Sequence, residues 1–256
     1  MNQELVVVEM SRPGVWTLTL NRPEKRNALN VPMLERLVEA FTDIGRRPDS
    51  RIVILRGAGA AFCSGLDLSE ASNPESAHRS AHVLADTLAC IWASPLLSIA
   101  ATHGAAIAGG AGVAAACDFV VSATEARWAF PEVRRGLIPA FIGAVLIRQA
   151  GRRQALEWLL TAEPVGALEL QAAGVINRVV PAEQLDAEIS RLVDSLLAGG
   201  PESQRSTKRL LDELSGATLR AQLDQALSDH LRARASGEAS EGIRAYLEKR
   251  EPQWTR

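Results

Sequence analysis

The chain has 256 residues, of which 47% are hydrophobic and 23% are charged, so it can bury a sizeable core and is not expected to be disordered. Its formal net charge of -2 argues against binding of the whole surface to nucleic acid or to an anionic membrane. No apolar run reaches the ~18 residues of a membrane span, and the N-terminus lacks the basic region of a secretory signal. Cys63, Cys90 and Cys117 are too few and too scattered for a disulfide framework or a zinc site. We therefore expect a cytoplasmic protein with no nucleic-acid or membrane partner.

The first 60 residues predict two strands, a helix and a third strand. Residues 5–8 and 15–20 are rich in strand-forming side chains, and residues 51–55 form a short apolar run that predicts a buried strand. Asn30 is a good N-cap for the helix, which has Pro32 in its first turn. The apolar residues that share one face of this helix are Met33, Leu34, Leu37, Val38 and Phe41.

Helices and strands continue to alternate in the middle of the chain, and the last quarter is helical. The pattern predicts helices over 78–92 and 110–116, and strands over 96–102 and 119–122. This alternation favours an α/β fold of stacked strand–helix units. Strand signals end near residue 181, and the helices predicted after that point cover residues 186–197, 204–214, 219–234 and 238–249.

Three segments next to predicted strands have the composition of a binding site. In the first, residues 21–30, the side chains of Arg22, Lys25 and Arg26 bring three cations into five residues. Such a cluster suits a multiply phosphorylated ligand. A polar turn that caps the following helix explains the same residues equally well.

The second segment, Ala-Phe-Cys-Ser-Gly-Leu-Asp-Leu at residues 61–68, follows the third strand. Gly65 allows the backbone to turn and to expose the N–H of Leu66. The alternative is a plain strand-to-helix loop in which Asp67 or Ser69 caps the helix. Cys63 has no basic residue nearby that would activate it as a nucleophile.

The third segment, Thr-His-Gly-Ala-Ala-Ile-Ala-Gly-Gly-Ala-Gly-Val at residues 102–113, lies between a strand and a helix of small residues. Glycines at the start of a helix let a ligand oxygen approach the free N–H groups there. The spacing is not that of a GxGxxG loop, which argues against a dinucleotide site.

In this order and spacing, the three segments resemble the crotonase (enoyl-CoA hydratase/isomerase) superfamily. The similarity continues through Ala-Phe-Pro-Glu-Val-Arg-Arg-Gly-Leu-Ile-Pro at residues 129–139 and reaches Ala-Tyr-Leu-Glu-Lys-Arg at residues 245–250. It implies an α/β fold with a crotonase-like stacked ββα spiral core in residues 1–200 and a helical C-terminal trimerisation region in residues 201–256. It also implies a homotrimer or homohexamer, an acyl-CoA thioester as substrate, and no cofactor beyond the CoA moiety of that substrate.

The resemblance further implies which residues bind the thioester. The backbone N–H groups of Leu66 and Gly109 match the two donors that hold the thioester oxygen, and one such donor is typically worth about 3 kcal/mol in barrier height. The positions of Tyr246 and Lys249 often reach a CoA bound to a neighbouring subunit. The residues expected to contact CoA are Glu24, Lys25, Arg26, Ser64, Leu66, Asp67, Leu68, Tyr246 and Lys249.

The acid/base positions determine which reaction is expected. Hydratases of this family hold a water between two glutamates; one position matches Glu132, and the other falls on Gly112. A single carboxylate predicts the shuttling of one proton, which is double-bond isomerisation. Alternatives are hydration by Glu132 with another polar group, acyl-CoA decarboxylation, and non-catalytic acyl-CoA binding. Ala140 occupies the place of the aspartate of the family's dehalogenases, so dehalogenation is disfavoured.

Further polar and aromatic residues have two explanations each. His78 and His82 are four residues apart on a predicted helix and could share a metal, but no third ligand presents itself, and a solvated face explains them better. Because this helix borders the acyl pocket in the family, either histidine is also a candidate substitute for the missing glutamate. Residues 73–92, where the family selects its substrate, have no pattern that identifies the acyl group. Candidates for lining the pocket, which core packing explains equally well, are Trp128, Phe130 and Phe141.

Overall fold

Strands and helices alternate along the computed structural model, which describes residues 4–70 and 74–255. The strands in this part of the chain are β1 (Val6–Arg12), β2 (Val15–Leu20), β3 (Ile52–Gly57), β4 (Leu97–Thr102), β5 (Ala105–Ile107), β6 (Phe119–Ala123), β7 (Arg127–Ala129), β8 (Val165–Gly166) and β9 (Arg178–Val180). The α-helices are α1 (Val31–Gly45), α2 (Pro74–Ala93), α3 (Gly109–Ala115), α4 (Ala140–Gln149), α5 (Gly151–Thr161), α6 (Ala167–Ala172), α7 (Leu185–Leu197), α8 (Pro201–Leu214), α9 (Leu219–Arg234) and α10 (Gly237–Leu247).

The strands form two sheets. The larger one has the order β1-β2-β3-β4-β6-β9, with β1 antiparallel to β2 and every other neighbouring pair parallel. The smaller one has the order β5-β7-β8. All six residues of β4, in the middle of the larger sheet, are buried. Burial on both faces is what a parallel strand between two layers of helices requires.

Helices cover both faces of the larger sheet, and the alternation of side chains along each strand decides which helix they meet. Val53 and Leu55 of β3 belong to the main core, which includes α1 and α2. Ile52 lies on the other face, in a second cluster with Leu185 and further residues of α7. The sequence signals for α1 are confirmed: Asn30 is its N-cap, and its side chain accepts a hydrogen bond from the N–H of Met33 at 3.1 Å.

Most of the predicted elements are confirmed. Helix α2 begins at Pro74, and Asp67 caps the short turn at residues 68–70 with its side chain, which accepts hydrogen bonds from the N–H and the hydroxyl of Ser69 at 3.1 and 2.7 Å. The short strands β5, β7, β8 and β9 and the helices α4–α6 were not predicted. The segment in which we expected the substrate to be selected begins at Asn73, which lies outside the described residues.

The C-terminal helices pack on the core of their own chain. Helix α9 packs against α2 and α4, and α10 packs against a 3-10 turn at Pro131–Arg135. Helix α8 is attached by Lys208, whose Nζ donates to the Asp118 carboxylate at 2.8 Å and to the carbonyl of Leu96 at 3.1 Å. Among the described helices, none has both the length and the apolar character needed to cross a membrane.

Candidate active site

A buried asparagine joins the first two of the three segments. Asn27 has φ of 55°, and its side-chain amide donates to the carbonyls of Ala58, Ala61 and Phe62 at 2.9, 2.8 and 3.2 Å. Its Oδ1 accepts the N–H of Arg22 at 2.9 Å. An asparagine tolerates this left-handed conformation better than most residues. The loop at residues 21–30 is therefore held firmly against the loop at residues 61–68.

Arg22 does not belong to the cluster of three free cations that we expected. Its guanidinium donates to the carbonyl of Ala28 at 2.6 Å and to the carboxylate of Asp67 at 3.0 Å, and both side chains of this ion pair are only 14% exposed. Burial by itself raises the pKa of Asp67, but hydrogen bonds from Ser69 and Arg22 more than offset it, so the pKa is lowered overall. Arg22 thus holds two loops together and is not a free phosphate ligand.

The N–H of Leu66 is turned away from the neighbouring chain segment. The N–H of Leu29 donates to Gly65, and the N–H of Asp67 donates to Leu29, both at 2.8 Å. These two bonds flank Leu66 in a parallel bridge, so its own N–H faces the other side. Gly65 has φ of +93°, and a Cβ there would lie 2.9 Å from the carbonyl oxygen of Ile107. Only glycine fits this turn without strain.

The N–H of Gly109 lies beside the same loop. Ala108 has the strained backbone angles φ 50° and ψ -123°, and its own N–H donates to Ala129 at 2.9 Å. Gly109 is the first residue of α3, so its N–H has no partner within the helix. A Cβ on Gly109 would lie 3.7 Å from Leu66 Cγ. Within the described residues, neither this N–H nor that of Leu66 donates to another backbone group.

These two loops form part of a cavity of about 200 Å³. Eight of the residues expected at the site line it, namely Arg26, Ser64, Leu66, Asp67, Leu68, Gly109, Glu132 and Tyr246. Glu24, Lys25 and Lys249 do not line it and are exposed at the surface. Tyr246 reaches the cavity of its own chain, where its ring lies 4.3 Å from the guanidinium of Arg135.

The carboxylate of Glu132 is the central titratable group of the cavity. Glu132 lies in the first turn of the 3-10 helix Pro131–Arg135, and its Oε2 is buried without a hydrogen-bond partner within the described residues. Burial raises the pKa of Glu132 to about 7, although its own backbone N–H and the charge of Arg135 act to lower it. A carboxylate with this pKa can both accept and return a proton near neutral pH.

The position of the missing second glutamate is surrounded by apolar side chains. A Cβ on Gly112 would meet Leu88 and Ile142 at 3.8 Å, which is ordinary van der Waals contact. The cavity wall at this point carries no carboxylate. The lining residues contain Glu132 and Asp67 as their acidic groups, and Asp67 is already paired with Arg22.

The sequence analysis did not identify several residues that line the cavity, namely Ser80, Leu84, Leu88, Arg135, His230 and Arg234. His230 is 7% exposed, and its ring lies 4.9 Å from that of Phe141. Burial, followed by the charge of Arg234, lowers the pKa of His230 to about 4, so the ring is neutral at pH 7. One signal could have identified it: Leu219, Leu223, Ala226 and His230 follow the spacing of one buried helical face.

The other candidate side chains lie elsewhere. The rings of His78 and His82 are 4.5 Å apart, but both residues are exposed and do not line the cavity. No group of three or more metal-binding side chains occurs in the described part of the chain. Phe141 lines the cavity as expected, whereas Trp128 and Phe130 are fully buried in the core.

Together, the two-sheet α/β fold and a cavity that combines two free backbone N–H groups with one buried glutamate are typical of crotonase-type enzymes. Residues 11–256 match the family model for enoyl-CoA hydratase/isomerase, and the chain therefore belongs to this family of the crotonase superfamily. It is an enzyme of the crotonase type.

Relatives and solved structures resemble the chain over nearly its full length. A Thermus thermophilus protein provisionally named an enoyl-CoA hydratase is 35% identical over 97% of this chain and 100% of its own. Mevalonyl-coenzyme A hydratase of Aspergillus fumigatus is 32% identical over 97% of this chain and 94% of its own. The crystal structure of an enoyl-CoA hydratase from Mycobacterium avium has a TM-score of 0.87 at 31% identity, covering 98% of this chain and 99% of that one.

Proposed function

We propose that the chain catalyses double-bond isomerisation of an enoyl-CoA, with Glu132 as its proton shuttle. One observation carries the proposal: Oε2 of Glu132 is buried and unpartnered within the described residues, in a cavity that the Leu66 and Gly109 loops also line. A buried carboxylate oxygen that is kept without a hydrogen-bond partner is costly to stability, and such a cost is typical of a catalytic acid or base.

The proposed reaction balances with one proton and no added group. The carboxylate of Glu132 removes a proton from C2 of a 3-enoyl-CoA, and the electron pair moves into the thioester to form a dienolate. The N–H groups of Leu66 and Gly109 stabilise the oxygen that gains negative charge. The carboxylic acid then returns the proton to C4, which gives the 2-enoyl-CoA.

The CoA moiety is proposed to enter along the loops at residues 21–30 and 61–68. Arg26, Ser64 and Leu68 line the cavity there, and Arg26 is exposed to solvent. The nucleotide end of CoA extends beyond a cavity of about 200 Å³, so the exposed Lys25 and Lys249 stay within the proposal as phosphate contacts. The reaction requires no cofactor besides the CoA of the substrate.

Hydration of a 2-enoyl-CoA is the second candidate. The names of the relatives favour it, because the matched proteins are called hydratases. Within the cavity, His230 supports it, since a neutral imidazole has a nitrogen that can accept a hydrogen bond from water. The carboxylate of Glu132 would then take a proton from the water as its oxygen adds to C3, and the resulting carboxylic acid would return that proton to C2.

The deciding experiment follows 3-enoyl-CoA and 2-enoyl-CoA substrates in deuterated water by mass spectrometry, with Glu132→Gln beside the wild type. Isomerisation predicts a migrated double bond with deuterium and no gain of water, and a loss of at least about 100-fold in rate in Glu132→Gln. A gain of one water would establish hydration instead. Glu125→Gln, the same change at an exposed glutamate that does not line the cavity, serves as the matched control.

Decarboxylation of an acyl-CoA is a further alternative, and it makes a different prediction in the same experiment. A decarboxylase would exchange or trap a proton only after losing CO₂ from a malonyl-type thioester. If Glu132→Gln reacts at the same rate as the wild type, Glu132 is not the acid/base group of either isomerisation or hydration.

We also propose that the chain assembles as a homotrimer or homohexamer through residues 201–256. Helix α8 supports this proposal, because Leu210, Leu211 and Leu214 are 51%, 62% and 74% exposed. Neighbouring apolar side chains at a surface are typical of a protein interface. A cytoplasmic location stays a prediction, and some relatives are named mitochondrial.

A further inference from the structure

The acid and the arginine of the 3-10 turn Pro131–Arg135 do not pair with each other. Glu132 and Arg135 are three residues apart, and side chains at this spacing eclipse each other in a 3-10 helix. Both side chains also line the cavity, so they lie on the same side of the turn. Within the described residues they nevertheless form no ion pair, and Oε2 of Glu132 has no hydrogen-bond partner.

The same spacing gives an ion pair elsewhere in the described part of the chain. Wherever an acidic residue precedes an arginine by three positions within or at the end of an α-helix, the two side chains are paired. These pairs are Asp43 with Arg46, Glu188 with Arg191, Glu202 with Arg205, Asp229 with Arg232, and Glu241 with Arg244. A buried carboxylate attracts a cation more strongly than an exposed one, because less water screens the charges. The missing ion pair at Glu132 therefore requires a physical cause.

A tyrosine ring of α10 occupies the guanidinium of Arg135. The Cζ of Arg135 lies 4.3 Å from the centroid of the Tyr246 ring, which is the geometry of a cation–π contact. Helix α10 packs closely on the turn, since a Cβ on Gly242 would overlap the carbonyl oxygen of Arg135. Tyr246 follows Gly242 by four residues and so lies on the same face of α10. The close approach of the two backbones thus places the ring over the guanidinium.

We infer that Tyr246 is a positioning residue, which holds the guanidinium of Arg135 away from the carboxylate of Glu132 and so keeps the proposed base unpaired. This inference rests on the proposed role of Glu132 and deepens it. An unpaired carboxylate is the stronger base, because an ion pair stabilises its charged form and lowers its pKa. The requirement is the same for isomerisation and for hydration, since Glu132 begins as a carboxylate in both.

The other charged groups around the turn stay the same in the variants that test this inference. Asp67 on the cavity wall is paired with Arg22, and Glu241 on α10 is also paired with Arg250. The remaining charged or titratable groups on the cavity wall, on the turn and on the helices packed against it are Arg26, His230, Arg234, Arg134, Arg152, Arg153, Glu157 and Glu238. Among charged side chains, Arg135 is the one that acts on the pKa of Glu132. A shift that depends on both Tyr246 and Arg135 therefore reports on their contact.

The pH profile of catalysis tests the inference. We would measure kcat and KM for 3-hexenoyl-CoA between pH 5 and 9. In Tyr246→Leu the released guanidinium is expected to pair with Glu132, so the acidic limb should move by about one pH unit or more to lower pH, and kcat at pH 8 should fall about 10-fold. Adding Arg135→Gln to Tyr246→Leu should restore kcat and bring the limb to its position in Arg135→Gln alone. Tyr246→Phe keeps the ring and should keep the limb in place, as should Leu247→Ala at the exposed neighbouring residue, which does not line the cavity.

Stability gives a second readout that does not depend on turnover. Because the pKa of Glu132 is raised by folding, the wild type should lose stability between pH 5 and pH 8. An ion pair with Arg135 would lower that pKa, so the loss should be smaller in Tyr246→Leu and should return when Arg135→Gln is added. Denaturant unfolding of the three proteins at both pH values measures it.

Three results would overturn the inference. A raised KM in Tyr246→Leu with the acidic limb in place would assign Tyr246 to contact with the CoA ester. A limb that moves to higher pH would mean that the ring holds Arg135 close to Glu132. The same loss of kcat with and without Arg135→Gln would show that Tyr246 does not act through Arg135. Full activity of Glu132→Gln, or no reaction of the wild type, would instead count against the proposed function, and the unfolding measurements would still test the contact.

Discussion

Glu132 combines two properties that conflict at the level of the single residue. Burial raises its pKa to about 7, which suits proton transfer near neutral pH, but ionisation of a carboxylate with an unpartnered oxygen costs stability. Arg135 acts in the opposite direction and lowers this pKa. The balance between burial and one nearby cation therefore sets the pKa of Glu132 and, in the proposed mechanism, the pH range of the reaction.

The pH dependence of the reaction follows from this pKa. As a base, Glu132 must be ionised, so kcat/KM of isomerisation should fall about tenfold per pH unit below pH 7. Arg135→Gln removes a cation that lowers the pKa and should move the acidic limb to higher pH. Kinetics of both proteins between pH 5 and 9 would check this, and an acidic limb that stays in place in Arg135→Gln would contradict the assignment to Glu132.

The same group should lower the stability of the fold as the pH rises. Its pKa is higher in the folded than in the unfolded chain, so the folded state binds more protons between about pH 4.5 and 7, and stability falls across that window. The amide in Glu132→Gln does not titrate, so this variant should not lose stability across that window. The loss expected in the wild type is on the order of 1–3 kcal/mol in the free energy of unfolding. Denaturant unfolding of the wild type and of Glu132→Gln at pH 5 and pH 8 measures this loss. If the difference in unfolding free energy between the two proteins is the same at both pH values, the prediction is wrong.

At the scale of single elements, two glycines of α3 have opposite roles. A Cβ on Gly110 would lie 2.6 Å from Cys63 Sγ, so α3 must shift to accept it, whereas a Cβ on Gly112 meets only ordinary contacts. Because α3 begins with the Gly109 N–H, a shift of this helix displaces one of the two proposed oxyanion donors.

Alanine substitutions separate these roles. Gly110→Ala should lower both stability and kcat, since overpacking typically costs about 1–3 kcal/mol. Gly112→Ala, two residues away, should keep or slightly raise stability, by up to about 1 kcal/mol of helix propensity. Thermal unfolding and kcat would be measured on both variants, and equal effects of the two substitutions would refute the close-packing argument.

Helix α8 offers a second prediction at this scale. Lys208→Met leaves the Asp118 carboxylate, whose side chain is only 19% exposed, without its cation and should destabilise the fold by about 3 kcal/mol at neutral pH. Arg209→Met is the matched control: its side chain is 73% exposed, its ion pair with Glu213 lies at the surface, and the expected change is below about 1 kcal/mol. Urea denaturation compares the two, and equal losses would mean that the Lys208 pair does not anchor α8.

At the scale of the whole molecule, the C-terminal helices take part in two proposals. Tyr246, His230 and Arg234 line the cavity of their own chain, while the leucines of α8 face outward. The region proposed for assembly is thus also a wall of the active site. Changes in assembly are expected to influence substrate binding as a consequence.

The assembly itself is a prediction that light scattering can check. We expect a mass of three or six times that of the monomer, and we expect the double substitution Leu211→Glu and Leu214→Glu to reduce it, because charges oppose burial of an apolar contact. Met10→Glu, at a residue that is 61% exposed on β1, should leave the mass unchanged. A wild-type monomer at micromolar concentration would refute the proposal.

The sequence by itself determined the class of fold and the family, and it identified the residues that are proposed to react. Periodicity and capping depend on neighbouring residues, so they identified α1 with its Asn30 cap, the main parallel strands and the helical C-terminus. The three segments could be recognised from short stretches of chain, because turns and caps depend on neighbouring residues. The roles expected for the Glu132 and Gly112 positions came from the resemblance of the whole chain to its family.

Only the tertiary structure decided which side chains meet in the cavity. It joined Arg22 to Asp67 across 45 residues and brought His230 beside Phe141 in the cavity, while His78 and His82 remained outside. It also set the burial that raises the pKa of Glu132. Such contacts depend on how helices pack and how much water they exclude, and neither quantity is contained in the spacing of residues along the chain.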